Sequence, residues 1–244
     1  MKGYYLVLRE STGSEILAGI PVYRVSSWLT GKRLVSMPFA TLSDPLVADA
    51  GQTERLLDEV LRLSARLHCS RVEIRTLQAY PFMTSRRFDR SEFYVHHYLE
   101  LGQDIVSIRS SFHRTCVRQR IAKAEKSGIE LGWAGDESAL KDFYRLLIRT
   151  RRKNALPVQP YSYVKSLWDI FHPGKRLAIL LAYTGGVPIA ALMLLPYKDR
   201  VTAEFAVSDV SFNAISPVHL LFWHASGTSR EEGYRVVDFG RTSP

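Results

Sequence analysis

The sequence predicts a mixed α/β fold in which β-sheets are flanked by helices. Three stretches carry this prediction. Residues 201–241 read as strand, polar turn, helix and strand, with Ser216 as a helix cap and Pro217 at the first helical position. Residues 176–207 contain three apolar runs separated by turn residues, which is typical of neighbouring strands. Residues 53–67 repeat leucine and valine at helical spacing, which predicts an amphipathic helix.

The first half is predicted to hold a hairpin, a helix and further strands. Its extended segments are residues 4–9, 16–25, 34–39, 71–75 and 94–101. The first two form a hairpin around a turn at residues 11–14, Thr53 can cap the helix, and residues 80–90 read as a loop. Because the chain begins directly inside a sheet, we expect residues upstream of Met1 to complete this half.

The second half alternates strands with longer helices. Its helices are predicted at residues 105–127, 136–153, 161–171 and 217–232, and its strands at 129–133, 176–183, 187–196, 200–207 and 234–241. The uncharged window 177–197 approaches the ~20 residues that a membrane span requires. Because Gly185, Gly186 and Pro188 interrupt it, we interpret it as two buried strands joined by a hairpin, and we predict no transmembrane segment.

The composition is that of a globular protein with an excess of positive charge. A chain of 244 residues suffices for one large domain or two smaller lobes. The formal net charge of +9 points to an anionic partner, such as a nucleic acid, a nucleotide or a phospholipid head group, and an ordinary basic surface explains it equally well. Two distant cysteines, Cys69 and Cys116, make neither a disulfide framework nor a metal site. With no signal peptide at Met1, we expect a cytoplasmic protein.

The predicted helix at residues 105–127 concentrates positive charge. It carries a single acid, Glu125, among six basic residues: Arg109, Arg114, Arg118, Arg120, Lys123 and Lys126. One interpretation is a solvated basic face. The other is a helix that contacts an anion, whether tRNA, a coenzyme phosphate or a membrane-bound diphosphate, with Arg118 and Lys123 as candidate ligands.

Several segments occur together in an order that resembles the FemAB-related branch of the GNAT acyltransferase superfamily. In the first half, the Ser-Met-Pro-Phe segment at residues 36–39 is similar to the Ser-x-Pro-Phe segment of that family, and residues 118–128 are similar to its basic helix. In the second half, the resemblance is carried by residues 150–160, 186–191, 216–223 and the Asp-Phe-Gly-Arg segment at 238–241.

The resemblance implies two tandem GNAT-like lobes, residues 1–104 and 105–244, each a mixed sheet flanked by helices. The family continues past Phe-Gly-Arg, so the second lobe is expected to lack its last strand. Founding members transfer amino acids from aminoacyl-tRNA to the peptide of a lipid-linked peptidoglycan precursor. Relatives are linked to exopolysaccharide gene clusters, and a neighbouring branch uses acyl-CoA.

The resemblance therefore implies an N-acyltransferase or aminoacyltransferase that builds peptidoglycan or exopolysaccharide. It would use aminoacyl-tRNA or acyl-CoA as donor and an amine acceptor, which can be lipid-linked, with no permanently bound cofactor. It would work in the cytoplasm or in peripheral contact with the inner face of the membrane. One departure disfavours CoA: the turn at residues 209–216 contains no glycine, whereas a GNAT pyrophosphate loop needs close backbone approach.

Amide formation needs a neutral amine held near the donor carbonyl and a group that takes its proton. Asp238, at the end of a predicted strand, is the first candidate for that group, and Asp209 is the second. Asp238 can equally pair with Arg241 or cap a turn. Arg241 and Arg151 are candidates for phosphate or carboxylate contact, although the helix dipole alone explains an arginine at position 151.

The remaining candidates for substrate contact are Tyr161, Pro217 and His219. His219 and His224 are five residues apart and do not share a helical face, and consecutive histidines in a strand point to opposite faces, so no metal site is predicted. The alternative function is a non-catalytic basic module that binds RNA or anionic lipid.

Overall fold

The computed structural model describes residues 1–10, 13–29, 31–77, 88–89 and 94–242, and the chain divides into two compact units between Val95 and His96. The boundary is predicted between residues 104 and 105, and it lies earlier in the structure because the strand at 95–100 joins the second sheet. Two sheets flanked by helices confirm the predicted mixed fold class. Most of the predicted loop at 80–90 and the first half of the predicted turn at 11–14 lie outside the described residues.

The first unit pairs four strands of the described residues in the order β1-β2-β3-β4. The strands are β1 (Lys2–Arg9), β2 (Ile16–Ser27), β3 (Gly31–Val35) and β4 (Arg71–Glu73). β1–β2 and β2–β3 are antiparallel and β3–β4 is parallel. Helix α1 (Ala50–Arg66) begins three residues before the predicted start, because Asp49 rather than Thr53 caps it: the Asp49 Oδ1 accepts from the Gln52 backbone N–H at 2.7 Å.

The second unit pairs six strands of the described residues in the order β5-β10-β9-β8-β7-β6. The strands are β5 (Val95–Glu100), β6 (Glu130–Trp133), β7 (Ala178–Thr184), β8 (Val187–Tyr197), β9 (Arg200–Ser208) and β10 (Val236–Thr242). The helices are α2 (Ile105–Ser111), α3 (Gln119–Glu125), α4 (Glu137–Lys153), α5 (Tyr161–Phe171) and α6 (Pro217–Glu231).

The predicted continuous helix at residues 105–127 is wrong in one respect. The chain is extended at Phe112 and His113, so the helix is interrupted between α2 and a short π-helical turn, Arg114–Arg118, that leads into α3. The imidazole Nδ1 of His113 accepts from the Cys116 N–H at 3.2 Å and caps this turn. The His113 side chain therefore caps a new helical turn within a segment whose composition alone predicts a single continuous helix.

The β7–β8 hairpin confirms the interpretation of the uncharged window. Gly185 and Gly186 form its turn with φ of 56° and 75°, a left-handed conformation that glycine adopts without a steric penalty. Within the described residues, no helix has the length and apolar character to cross a membrane.

Both faces of the second sheet are covered by buried apolar side chains. One face packs against α4 and α5 through Phe143, Leu147 and Trp168, and the other packs against α6 through Leu221 and Ala225. Full burial of a side chain of this size contributes about 1.5–3 kcal/mol. This packing fixes α4, α5 and α6 against the strands that carry the candidate site.

Candidate active site

The candidate site lies in the second sheet, where two parallel strands separate. β9 and β10 pair over three residues each, Arg200–Thr202 with Val236–Asp238. Beyond them β9 continues to Ser208 and β10 to Thr242, without further pairing between the two within the described chain. In α/β sheets, ligands bind beyond the carboxyl ends of parallel strands, where the chain connections diverge.

A β-bulge places Glu204 at this separation. The register of β8 with β9 runs from Met193 opposite Phe205 directly to Leu194 opposite Ala203, so Glu204 is an extra residue without a partner on β8. A bulge bends its strand and redirects a side chain, and bulges are common beside active sites. Glu204 thus leaves the regular in-and-out alternation of its strand.

The surroundings of Glu204 adjust its acidity. Burial raises the pKa of the Glu204 carboxyl to about 6, the charge of Arg151 opposes this rise, and the charge of Asp238 adds to it. Burial also raises the pKa of Tyr163, with a further contribution from the Glu204 charge. The Arg151 guanidinium lies 5.7 Å from the ring centre of Phe205. Side chains from α4, α5, β9 and β10 therefore interact at one place.

Asp238 is buried and held by several groups. Its Oδ2 accepts from the Nη1 of Arg200 at 2.9 Å, and its Oδ1 accepts from the backbone N–H of Gly240 at 2.8 Å. The Nε2 of His96 lies 3.1 Å from the same Oδ1. The observed ion pair joins Asp238 to Arg200, whereas Arg241 was the predicted partner, and the bond to Gly240 forms the local turn that is the other predicted role.

Two of the predicted site residues, Arg151 and Asp238, act on the same group: the charge of each shifts the pKa of Glu204. Glu204 itself was missed, because strand 200–207 was interpreted as a core strand. One signal was available: Glu204 is the acidic residue inside the run Val-Thr-Ala-Glu-Phe-Ala-Val. His96, one of the two consecutive histidines from which no metal site is predicted, lies beside Asp238.

Asp209, the second predicted proton acceptor, has a structural role in the turn between β9 and α6. Its Oδ1 accepts from the Ser211 N–H at 3.0 Å, and its carboxylate forms an ion pair with Arg149. The Ser211 hydrogen bond, together with Arg149, holds the pKa of Asp209 below its usual value. A carboxylate stabilised in this way is a weak base, so the geometry favours Glu204 over Asp209.

The amino end of α6 lies beside the π-helical turn. Ser216 has a positive φ of 56° and makes no side-chain hydrogen bond to the first turn, which begins with buried Pro217. Burial lowers the pKa of the His219 imidazole, the charge of Arg120 lowers it further, and a hydrogen bond to the Cys116 backbone opposes both. His219 is thus directed at the basic segment.

The other predicted contacts are dispersed. The Tyr161 hydroxyl donates to Glu137 at 3.3 Å, at the first residue of α4, whereas Arg151 lies near the end of that helix, about 20 Å along its axis. Lys123 is exposed on α3, and Arg241 is half-buried on β10. Of the two tyrosines at the start of α5, it is therefore Tyr163 that faces the candidate site.

Comparison with known proteins places the chain among acyltransferases of the GNAT type. The family described as "Acetyltransferase (GNAT) domain" matches residues 111–243, more than half of the chain. The chain therefore belongs to the GNAT acetyltransferase family. This match confirms the GNAT part of the resemblance seen in the sequence. No curated protein sequence matches the chain.

Solved structures share the fold over the whole chain. FemX superposes with a TM-score of 0.72 at 11% identity, covering 100% of this chain and 80% of FemX. The C-terminal domain of a putative lysylphosphatidylglycerol synthetase from Agrobacterium fabrum gives 0.59 at 12% identity, covering 98% and 71%. L-PGS from Bacillus licheniformis gives 0.59 at 12% identity, covering 99% and 69%. The shared fold with FemX agrees with the FemAB-related branch.

Proposed function

We propose that this chain transfers an acyl or aminoacyl group from an activated ester or thioester to an amine, with Glu204 as the proton acceptor. The observation that supports this most strongly is the position of Glu204. Its carboxyl is partly buried at a bulge where two parallel strands separate, and its pKa of about 6 leaves it ionised, yet still basic, at neutral pH.

The amine nitrogen attacks the carbonyl carbon of the donor, the N–C bond forms, and the bond from that carbon to the leaving oxygen or sulfur breaks. The proton lost by the amine passes to the Glu204 carboxylate. The leaving oxygen or sulfur takes a proton from the Tyr163 hydroxyl, which regains one from the protonated Glu204 carboxyl, and departs as an alcohol or thiol. Because the donor is already activated, positioning of the two reactants and a proton acceptor of matched pKa supply most of the gain in rate.

The neighbours of Glu204 have supporting roles in this proposal. Tyr163, whose pKa is raised, stays protonated at neutral pH, so its hydroxyl can donate to the leaving group. Asp238 is fixed by Arg200 and Gly240 and helps to keep the pKa of Glu204 high. Arg151 offers a positive charge beside Glu204 for a carboxylate or phosphate of the substrate.

We further propose an aminoacyl ester, as in aminoacyl-tRNA, as the preferred donor over acyl-CoA. The glycine-free turn before α6 uses its amides internally: the N–H groups of Ser211 and Phe212 bond to Asp209, and that of Ser216 bonds to the Asn213 carbonyl. These groups are not available to a CoA pyrophosphate. One structure with this fold is named for lysylphosphatidylglycerol, an aminoacylated lipid, which supports an envelope component as the acceptor.

The test is transfer from two labelled donors by the purified 244-residue chain. One arm supplies a mixture of radiolabelled aminoacyl-tRNAs, the other supplies labelled acetyl-CoA, and both contain a panel of amine acceptors that includes peptidoglycan precursor peptides. We expect amide-linked label from the aminoacyl-tRNA arm, and its loss in Glu204→Gln. Label from acetyl-CoA alone would contradict the donor assignment but not the transfer chemistry. No amide product from either donor would contradict both.

A further inference from the structure

A concave region lies at the π-helical turn. It has a volume of about 300 Å³ and is lined by the side chains of Arg109, Arg114, Arg118, Gln119 and Ala122. We refer to it as the arginine pocket. Three guanidinium groups converge there because α2 supplies the first, while the π-helical turn presents Arg114 and Arg118 four residues apart. The pocket therefore differs from a basic surface whose charges are spread over a helix.

The arginines of this pocket are unevenly neutralised. Arg109 makes a bidentate pair with Glu125, at 2.9 and 2.7 Å, and its guanidinium lies 5.3 Å from the ring centre of Trp223. Arg114 and Arg118 have no acidic partner within the described chain. Glu125 neutralises the charge of Arg109, so the charges of Arg114 and Arg118 remain unbalanced in the pocket.

Arg118 also has an unused hydrogen-bond donor. Its Nε is buried and has no acceptor among the described residues. A buried donor left unbonded is unfavourable, so the Arg118 guanidinium would gain from a small shift that brings this N–H to an acceptor oxygen in the pocket. This unbonded donor distinguishes Arg118 from an exposed and fully solvated arginine.

The backbone beneath the pocket is fixed. The Arg118 N–H donates to the His113 carbonyl at 3.1 Å, which is the i to i−5 bond of the π turn, and the Cys116 N–H donates to the His113 imidazole at 3.2 Å. Ile121 and Ala124 are buried and anchor α3. A preformed site loses less conformational entropy when a ligand binds.

We propose that the arginine pocket binds the phosphate group of a phosphomonoester or diphosphate. Such groups carry about two negative charges at neutral pH, which match the two unbalanced positive charges, and their oxygens suit the planar fork of arginine. A carboxylate or a single phosphodiester carries one charge and leaves the other unbalanced. The pocket and the Glu204 site share no residue: Arg151, Tyr163 and Asp238 are absent from the pocket lining.

The test is calorimetric titration of the full chain with inorganic pyrophosphate at 150 mM salt, with circular dichroism to show that each variant is folded. Arg118→Gln should weaken binding about 10-fold or more, and Arg118→Lys should weaken it about 3-fold, because lysine keeps the charge but loses the Nε donor and the fork. Lys126→Gln removes a whole charge from the same segment at an exposed position outside the pocket, and should change binding less than about 2-fold. Glu204→Gln should bind pyrophosphate normally even if it abolishes transfer.

Two further arms separate the sources of the phosphate. Vesicles containing phosphatidic acid present a phosphomonoester, whereas phosphatidylglycerol vesicles present a diester. Stronger binding to the former, reduced in Arg118→Lys, would support a lipid source, and pyrophosphate binding without vesicle binding would support a soluble source. Three results would overturn the proposal: no saturable pyrophosphate binding, equal weakening by Arg118→Lys and Lys126→Gln, or binding only to RNA with no competition by pyrophosphate.

Discussion

Arg200 and Asp238 join the two strands that separate at the candidate site, with the Arg200 Nη1 2.9 Å from the Asp238 Oδ2. Arg200 opens β9 and Asp238 lies in the last residue pair before β10 diverges. Their charge-assisted bond links the two strands within the short stretch over which they pair. Beyond it lies Glu204, whose pKa responds to the Asp238 charge. The ion pair that joins the two strands therefore also positions the charge that raises the pKa of Glu204.

Asp238→Asn should slow transfer without unfolding the protein. The change weakens a hydrogen bond to a charged partner, worth about 1.5–3 kcal/mol, which is less than the total stability of a typical domain. It also removes a negative charge that raises the pKa of Glu204, so this pKa should fall. Urea denaturation and the pH dependence of turnover measure the two effects. Unchanged turnover at every pH would remove Asp238 from the account.

Asp209→Ala should affect stability through the turn before α6. At pH 7 we expect a loss of about 1 kcal/mol, because the Ser211 N–H loses its cap. The pKa of Asp209 is lowered in the folded state, so its contribution is present above the unfolded value of about 3.9 and is lost as pH falls through the folded value. Thermal melts of both proteins across pH should therefore converge in acid; a constant difference would contradict this assignment.

Secondary-structure elements are predicted correctly where one local sequence signal is strong. Helix α6 begins at Pro217 as expected, and the apolar runs around Gly185 and Gly186 form the predicted hairpin. Helix α4 ends at Lys153 as expected, because acidic residues at its start and basic residues at its end complement the helix dipole.

The candidate site was predicted in part. Asp238 and Arg151 were identified from residue type and position, but Glu204 depends on a bulge, and register between β8 and β9 is a tertiary property that the strand sequence does not reveal. The interruption of the basic helix at His113 was missed for a related reason, since neither glycine nor proline marks it. Which tyrosine of α5 faces the cleft also depended on how the helix docks.

Glu204→Gln should lower kcat by about 100-fold or more with little effect on KM, because a general base contributes about 10²–10⁴ to the rate. Glu130→Gln, at an exposed position on the edge strand β6, is the matched control and should retain full activity. Comparable losses in both variants, or none in either, would contradict the role of Glu204.

The same substitution should raise stability at neutral pH. Burial raises the pKa of Glu204 from 4.5 to about 6, so the folded state binds more protons than the unfolded state between these values. The wild type should therefore lose about 2 kcal/mol relative to Glu204→Gln as pH rises through this window. Denaturant titrations at pH 4 and pH 8 measure the difference. A wild type that is equally stable relative to the variant at both pH values would contradict the raised pKa.

The most direct test of the account is the pH profile of kcat/KM for wild type and Glu204→Gln with one donor and one acceptor. The proposed base acts when ionised, so the wild-type rate should fall about tenfold per pH unit below an apparent pKa near 6. The variant should lack that limb and retain only the titration of the acceptor amine. A limb near pH 6 that persists unchanged in Glu204→Gln would show that another group takes the proton.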